Sequence, residues 1–294
     1  MAAPKKAVVV TGASSGIGQA IALHLVQQGY VVFATVRNPA NLGAMEELQD
    51  ANLIPIAPVD LTQCDQIQAA TDTITARIQS MGLEGLYAII NNAGGGEIAP
   101  LELLDMDILE QELKTRIVGP ARLVQSLLPE IRKGQGRLLW ITTPSLVPLP
   151  YKSSIHVAEF ARHGLARSFR IEFSPWNIPS IMIACGGIKS NAVGRMDRVL
   201  SANLNSWSQD QLALYGAALE NVLERDAKIA ESGIDPVEVA EIVEGALRNP
   251  NPKAMYKVGV SKQFETLSSL PEEKVDDFFI SMIKNNDKHI SQSL

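Results

Sequence analysis

Cysteine is nearly absent: Cys64 and Cys185 are the only two in a chain of 294 residues. Two cysteines cannot build a disulfide framework, and such sparse use suits a reducing compartment. Histidine is also scarce, and His24, His156, His163 and His289 lack the spacing of a metal site, so no resident metal is expected. No apolar run approaches the ~18 residues of a membrane span, and Ala7–Val10 behind its short basic start is too short for a signal peptide. No Lys/Arg block exists, and a spread net charge of −6 disfavours a nucleic-acid partner. A cytoplasmic protein acting on a small molecule is therefore the default. Disorder is excluded by the 46% of hydrophobic residues, and the length suffices for one well-filled core.

What is present is alternation. Continuous apolar runs at Ala7–Val10, Val31–Val36, Leu53–Ala57, Leu86–Ile90, Arg137–Thr142 and Ser180–Ala184 read as strands buried on both faces. Between them, Ile17–Gln28, Asn41–Asp50, Gln63–Met81, Glu102–Leu128 and Ser153–Phe173 carry helical spacing, with Gly29 and Pro129 as stops. This order predicts an α/β fold, a doubly wound parallel sheet covered on both faces. Beyond it, Lys189–Ser206 reads as polar and irregular. Gln209–Glu231, Pro236–Arg248 and Pro271–Ile283 read as helices, and Met255–Val260 as a last strand. The whole of 1–294 is expected to be one domain: a dinucleotide-binding core over 5–190, a variable lid over 189–235 and C-terminal elements over 236–294.

The stretch TGASSGIG, Thr11–Gly18, leaves the first strand and opens the first helix. Gly12 permits a tight turn, Gly16 lets backbone approach a pyrophosphate, and Gly18 lets helix and strand pack closely. The helix N-terminus adds free N–H groups and positive potential. Arg37 follows the second strand where an acidic residue would hold ribose hydroxyls. A guanidinium there accommodates a 2′-phosphate, so NADP(H) is expected over NAD(H), with Ser14 assisting.

With Val59-Asp60-Leu61 and Asn91-Asn92-Ala93-Gly94, these motifs make residues 5–190 resemble the short-chain dehydrogenase/reductase family, closest to its NADP-preferring retinol and hydroxysteroid branch. The resemblance implies that Ser15 and Ile17 join the glycine turn in holding the dinucleotide. It also implies that Asp60 and Leu61 flank the adenine, and that Asn91, Ala93, Gly94, Gly186 and Ile188 line the cleft. It further implies self-association into homo-oligomers.

What the chain lacks most tellingly is the family's catalytic set of asparagine, serine and a Tyr-x-x-x-Lys pair. By register with that pattern, asparagine is replaced by Arg116, serine by Thr142, tyrosine by Ile155 and lysine by Glu159. None of the five tyrosines, Tyr30, Tyr87, Tyr151, Tyr215 and Tyr256, is followed four residues later by lysine. Ile155 cannot move a proton, whereas the Thr142 hydroxyl still binds an oxygen. Opposite charges at two sites that lie close together in the family predict an Arg116–Glu159 pair. Glu159 with Arg162 or His163 along one helix is the equal alternative.

His156 is expected on the surface or at a subunit contact, and Tyr151 as a lining residue or substitute acid. Cys185 is expected to pack, and Trp207, Leu212, Leu214 and Tyr215 to form a lid. Three functions stay open. The first is a rewired NADP(H)-linked enzyme using Glu159, Arg116 and Thr142, such as an iminium reductase or a pocket-based cyclase or isomerase. The second is a pseudoenzyme that senses NADP(H) or holds a partner, and the third an alcohol/ketone oxidoreductase with substitute residues.

Overall fold

A computed structural model describes residues 5–144, 146–189 and 191–285. Seven strands form one parallel sheet: β1 (Ala7–Thr11), β2 (Val31–Thr35), β3 (Leu53–Ile56), β4 (Leu86–Asn91), β5 (Arg137–Thr142), β6 (Ser180–Cys185) and β7 (Met255–Val258). Their order is β3-β2-β1-β4-β5-β6-β7. β1, β2, β4 and β5 are buried throughout, as their unbroken apolar runs require.

Successive side chains of a strand point to opposite layers. Val8 and Val10 therefore pack with Ile21 and Leu25 of α1 (Gly16–Gln27) and Val239 and Val243 of α9 (Pro236–Arg248). Val9 faces Ile67 and Ile74 of α3 (Cys64–Ser80), Leu123 and Leu127 of α5 (Gly119–Lys133), and Phe169 of α6 (Ser153–Glu172). The chain runs outward in both directions from β1 and β4, so the loops leaving these strands open a crevice at their C-terminal ends.

Several helices depart from expectation. Asn41–Asp50 is not a full helix: it holds only a single turn, α2 (Gly43–Glu46), after a 3₁₀ turn at Pro39–Asn41. The long helix does not stop at Pro129. It comprises α4 (Met106–Leu113), a wide π turn at Lys114–Val118, and α5, which contains the proline. Pro129 costs about one helical bond, ~3 kcal/mol, which burial of Leu127 and Ile131 on either side offsets at about 1.5–3 kcal/mol each.

The segment read as irregular forms α7 (Asn191–Ser206). Its Leu200 and Leu204, four residues apart, pack against Leu219 and Val222 of α8 (Gln209–Ser232). α10 (Lys262–Leu267), capped by Ser261, precedes α11 (Glu272–Asn285). These two cover Val147 and Leu149 of the loop after β5 through Phe264, Leu267, Val275 and Phe279.

Candidate active site

The glycine turn takes the shape its residues allow. Gly12 and Gly16 have φ of +66° and +56°, a region costly for other residues. A Cβ on Gly18 would overlap the Gly12 carbonyl and the Asn92 amide. Ser15 caps α1 in an extended conformation without a side-chain hydrogen bond, leaving the first-turn N–H groups uncapped by it. Ser14 and Ile17 are partly exposed beside them. Arg37 is exposed and free of hydrogen bonds or ion pairs among the described residues. The turn is tied to the loop after β4 by two residues the sequence reading passed over. Thr11 Oγ1 accepts from Asn92 N (3.0 Å) and Ala93 N (3.1 Å), and Asn92 Nδ2 donates to the carbonyls of Thr11 (3.0 Å) and Gly12 (3.2 Å).

Other expected lining residues are placed around this crevice. Asp60 Oδ1 accepts from Thr62 N and Thr62 Oγ1, both at 2.8 Å. Leu61 is pressed against Gly119, where any Cβ would strike the Leu61 carbonyl. Asn91 Nδ2 donates to the Leu139 carbonyl at 3.3 Å, while its buried Oδ1 has no partner. Gly186 owes its small size to the Gly259 carbonyl packed on it, and Ile188 bridges to Ile234. An enclosed glycine turn, uncapped helix N–H groups and an unsatisfied Asn91 oxygen fit a dinucleotide laid across the crevice.

Of the four positions expected to be substituted, Arg116, Thr142 and Glu159 are buried, and Ile155 is partly exposed. The π turn places Arg116 beside α6, in keeping with the tendency of such turns to mark functional positions. Arg116 Nε donates to Glu112 Oε2 at 2.7 Å, Nη1 pairs with Glu159 Oε1, and Nη2 donates to the Gly95 carbonyl at 2.8 Å. Glu159 also lies 3.4 Å from Arg162 Nη1, and its second oxygen accepts from Thr143 N at 3.1 Å. Glu159 therefore pairs with both Arg116 and Arg162, whereas His163 Nε2 lies 3.2 Å from the Thr143 carbonyl.

Arg162, fully enclosed, donates to the carbonyls of Ile141 (2.7 Å), Ala93 (2.8 Å) and Arg116 (3.3 Å). Glu112 and the clamp role of Arg162 were not anticipated. The four-residue spacing of Glu112 and Arg116 was the available signal.

These contacts set the protonation states. Burial pushes the Glu159 carboxyl upward, but the guanidiniums of Arg162 and Arg116 and the Thr143 N–H outweigh it and hold it below the ordinary carboxylate value. Burial lowers both arginines. At Arg116 two carboxylates reverse that effect, whereas at Arg162 burial prevails and brings it to about 10. Both remain cations at neutral pH. Two carboxylates and two guanidiniums thus leave no net charge.

Ile155 is the residue expected at the tyrosine position. It packs on Gly96, whose φ is +108° and whose Cβ, if present, would overlap Ile155 Cγ1. Gly94 is in the same way closed by the Arg116 guanidinium and Gly95 by Glu112. Thr142 Oγ1 is buried without a partner.

His156 is buried at 6% exposure, contrary to the surface expectation, because the Val147 loop covers its face of α6. Burial lowers its pKa to about 4, with Lys152 adding to the effect. Burial pushes the Cys185 thiol up to about 12, which fits packing and not nucleophilic use. Tyr151 packs against the cluster of Ile98, Leu200, Leu219 and Val222, its ring set edge-on to Tyr215 at 6.5 Å. Trp207 joins that cluster, whereas Leu214 is 69% exposed.

Known proteins share both sequence and shape with this chain. Estradiol 17-beta-dehydrogenase 2 of Mus musculus is 32% identical over 220 residues, covering 72% of this chain and 56% of that protein. The chain thus matches little more than half the length of the mouse relative. 3-Amino-tetrahydro-pyrrolizinone reductase of Xenorhabdus hominickii is 27% identical over 287 residues, 94% of this chain and 95% of that protein. The crystal structure of a short-chain dehydrogenase from Streptomyces avermitilis superposes with a TM-score of 0.70 at 19% identity, covering 99% of this chain and 97% of that one. The profile described as short chain dehydrogenase matches residues 6–199, the sheet through β6 with the glycine turn and helix α6. The chain therefore belongs to the short-chain dehydrogenase family.

Proposed function

We propose that this protein binds NADP(H) and reduces an acceptor that takes up hydride without a proton from position 155, an iminium or comparably activated group. The observation that carries the reading is the contrast between the two ends of the crevice. The glycine turn is intact and tied to Asn92, while the proton-relay positions hold Ile155 and a neutral, fully used charge network.

Gly12, Ser14, Ser15, Gly16 and Ile17 would hold the pyrophosphate, and Arg37 the adenosine 2′-phosphate. Asp60, Leu61, Asn91, Ala93, Gly94, Gly186 and Ile188 would line the remainder. A nicotinamide dinucleotide supplies hydride to such a site. Ile155 gives the acceptor an apolar wall, and the unpartnered Thr142 hydroxyl binds its heteroatom.

A ketone would need a proton on its developing alkoxide, and loss of a positioned acid typically costs 10²–10⁴-fold. An iminium nitrogen is already positive and becomes neutral on accepting hydride. Glu159 does not attract that cation, because Arg116 and Arg162 already balance it with Glu112. The Xenorhabdus relative, named as a reductase of a nitrogen heterocycle, supports this reading by matching along nearly the whole chain.

A second reading, a protein that binds NADP(H) without turnover, is favoured by the close packing of Ile155 on Gly96. One experiment separates them. NADPH and NADH are titrated by fluorescence, and NADPH oxidation is then followed with cyclic iminium ions and matched ketones. Tighter binding of NADPH, weakened tenfold or more in Arg37→Ala, with iminium turnover exceeding ketone turnover, is expected. Binding without turnover leaves the second reading, and no binding of either nucleotide overturns both.

A further inference from the structure

The loop after β4 carries a buried carboxylate past Ile155. Glu97 is 8% exposed, and it follows Gly96, the residue that rests on Ile155. Its backbone is held by Ser154, the residue before Ile155: Glu97 N donates to Ser154 Oγ at 3.0 Å, and Ser154 Oγ donates to Glu97 O at 2.9 Å. Two residues on, Ala99 N donates to the Tyr151 carbonyl at 2.9 Å. The segment 97–99 thus runs along 151–154 and is fastened at both ends. Between the two fastenings, Ile98 enters the apolar cluster with Leu200, Leu219 and Val222.

The Glu97 side chain leads to α7, where Asn203 Nδ2 donates to its Oε1. Asn203 stands three residues after Leu200 and so shares its face of α7, which places the carboxyl group where α7 packs over the loop. Asn203 supplies one of the roughly four hydrogen bonds a carboxylate accepts, and it brings no charge. Burial pushes the Glu97 carboxyl above its ordinary value; the Asn203 hydrogen bond pulls it back, and Asp105, the cap of α4, raises it again. Glu159 differs, because two guanidiniums hold its carboxylate where an amide holds that of Glu97. A desolvated carboxylate held by an amide gains most from an arriving cation.

We infer that Glu97 is the specificity-determining residue for a positively charged substrate, its carboxylate receiving the cationic nitrogen of an acceptor that enters between α6 and α7. The inference rests on the reading above and supplies the attraction that Glu159 does not. A cation bearing an N–H completes a charge-assisted hydrogen bond to the carboxylate, so the substrate class is an N-protonated iminium. As that acceptor takes up hydride, a C–H bond forms, the C=N π pair becomes the nitrogen lone pair and the positive charge disappears. The attraction is therefore strongest in the bound substrate and fades toward the transition state. Glu97 lowers KM without raising kcat, and the neutral amine leaves more readily than the iminium.

The test uses three planar probes of one shape and different charge: benzamidinium, benzamide and benzoate. Each is titrated calorimetrically at neutral pH into the full-length protein saturated with NADP⁺. Benzamidinium is expected to bind at least tenfold more tightly than benzamide, and benzoate most weakly. Glu97→Gln keeps an oxygen for Asn203 and removes the charge, so it should abolish the preference while leaving NADP⁺ affinity within twofold. Glu97→Met carries the same test if the glutamine variant does not fold. NADPH oxidation with the 2-methyl-1-pyrrolinium ion gives the kinetic counterpart, in which Glu97→Gln should raise KM tenfold or more at unchanged or higher kcat.

Benzamidinium binding no better than benzamide overturns the inference, as does a preference that survives in the folded variants. Benzoate binding as tightly as benzamidinium overturns the stated charge. A glutamine variant that loses kcat at unchanged KM overturns the role in selection. The reading above is judged separately. Failure of NADP⁺ to bind removes that reading, and the probe series on the nucleotide-free protein then decides this inference by the same criteria. Without measurable turnover, the calorimetric series decides alone.

Discussion

His156 shows how one buried ring shapes the response to acid. It neighbours Ile155 in sequence, yet its ring lies under the Val147 loop, and Nδ1 has no partner. Its pKa falls from 6.5 to about 4 on folding, so the unfolded chain binds the proton more readily. The stability it preserves is complete above pH 6.5 and is lost as pH falls toward 4, on the order of 3 kcal/mol for that shift. Glu159, held below the ordinary carboxylate value, adds a second loss that begins only below its unfolded pKa, since its charged form is the one the fold stabilises. Chemical denaturation at pH values from 7.5 to 4.5 should show the first loss, and His156→Phe should flatten it. A wild-type stability that stays level from pH 7 to 5 would sink this account.

At the scale of elements, the loop after β4 and helix α6 fit each other with no room to spare. Ser154 Oγ accepts from Glu97 N (3.0 Å) and donates to Glu97 O (2.9 Å), which fastens the loop immediately after the last glycine. Gly96 then lies directly on Ile155. Gly96→Ala adds a methyl where Ile155 sits and puts alanine at φ +108°, so a loss of about 2–4 kcal/mol is expected. Ile155→Ala in the same chain should recover the steric share but not the backbone share. A double-mutant cycle by urea denaturation reads that coupling, and additive losses would refute the contact.

Elements of this kind were unevenly legible from sequence. Strands and the glycine turn carry local patterns, and their residues stood where expected. The π turn leaves no mark on spacing, because one widened turn does not change the order of residues. The polar run 191–206 forms a helix only because Leu200 and Leu204 find α8, a contact that no local pattern announces. The Arg116–Glu159 pair was legible because two replaced residues had opposite signs. The burial of His156 depends on the distant segment that covers it.

For the molecule as a whole, Glu112, Arg116, Glu159 and Arg162 behave as one ion-pair network spanning α4, the π turn and α6. Reversion to the family pattern is instructive. Glu159→Lys would place a third cation between Arg116 and Arg162 and strip both of their shared carboxylate, a loss of about 3–5 kcal/mol. Ile155→Tyr would drive a larger ring into Gly96. The pair Ile155→Tyr/Glu159→Lys should therefore give a poorly stable protein without ketone reduction, and adding Arg116→Asn should raise its melting temperature. Thermal melts and NADPH-coupled ketone assays check this. A stable, active double variant would show that the charge network is not what replaces the proton relay.

The same network reaches into the backbone of a neighbouring loop. Arg116 donates to the Gly95 carbonyl, Glu112 accepts from Gly95 N at 3.2 Å, and Arg162 holds the Ala93 carbonyl, so the charges also shape the loop that borders the nucleotide crevice. A mutant library that varies Glu112, Arg116, Glu159 and Arg162 singly will sample mostly damaged proteins and report them as individually essential. Only combinatorial exchange, with charge conserved across the set, can reveal which other solutions the scaffold tolerates.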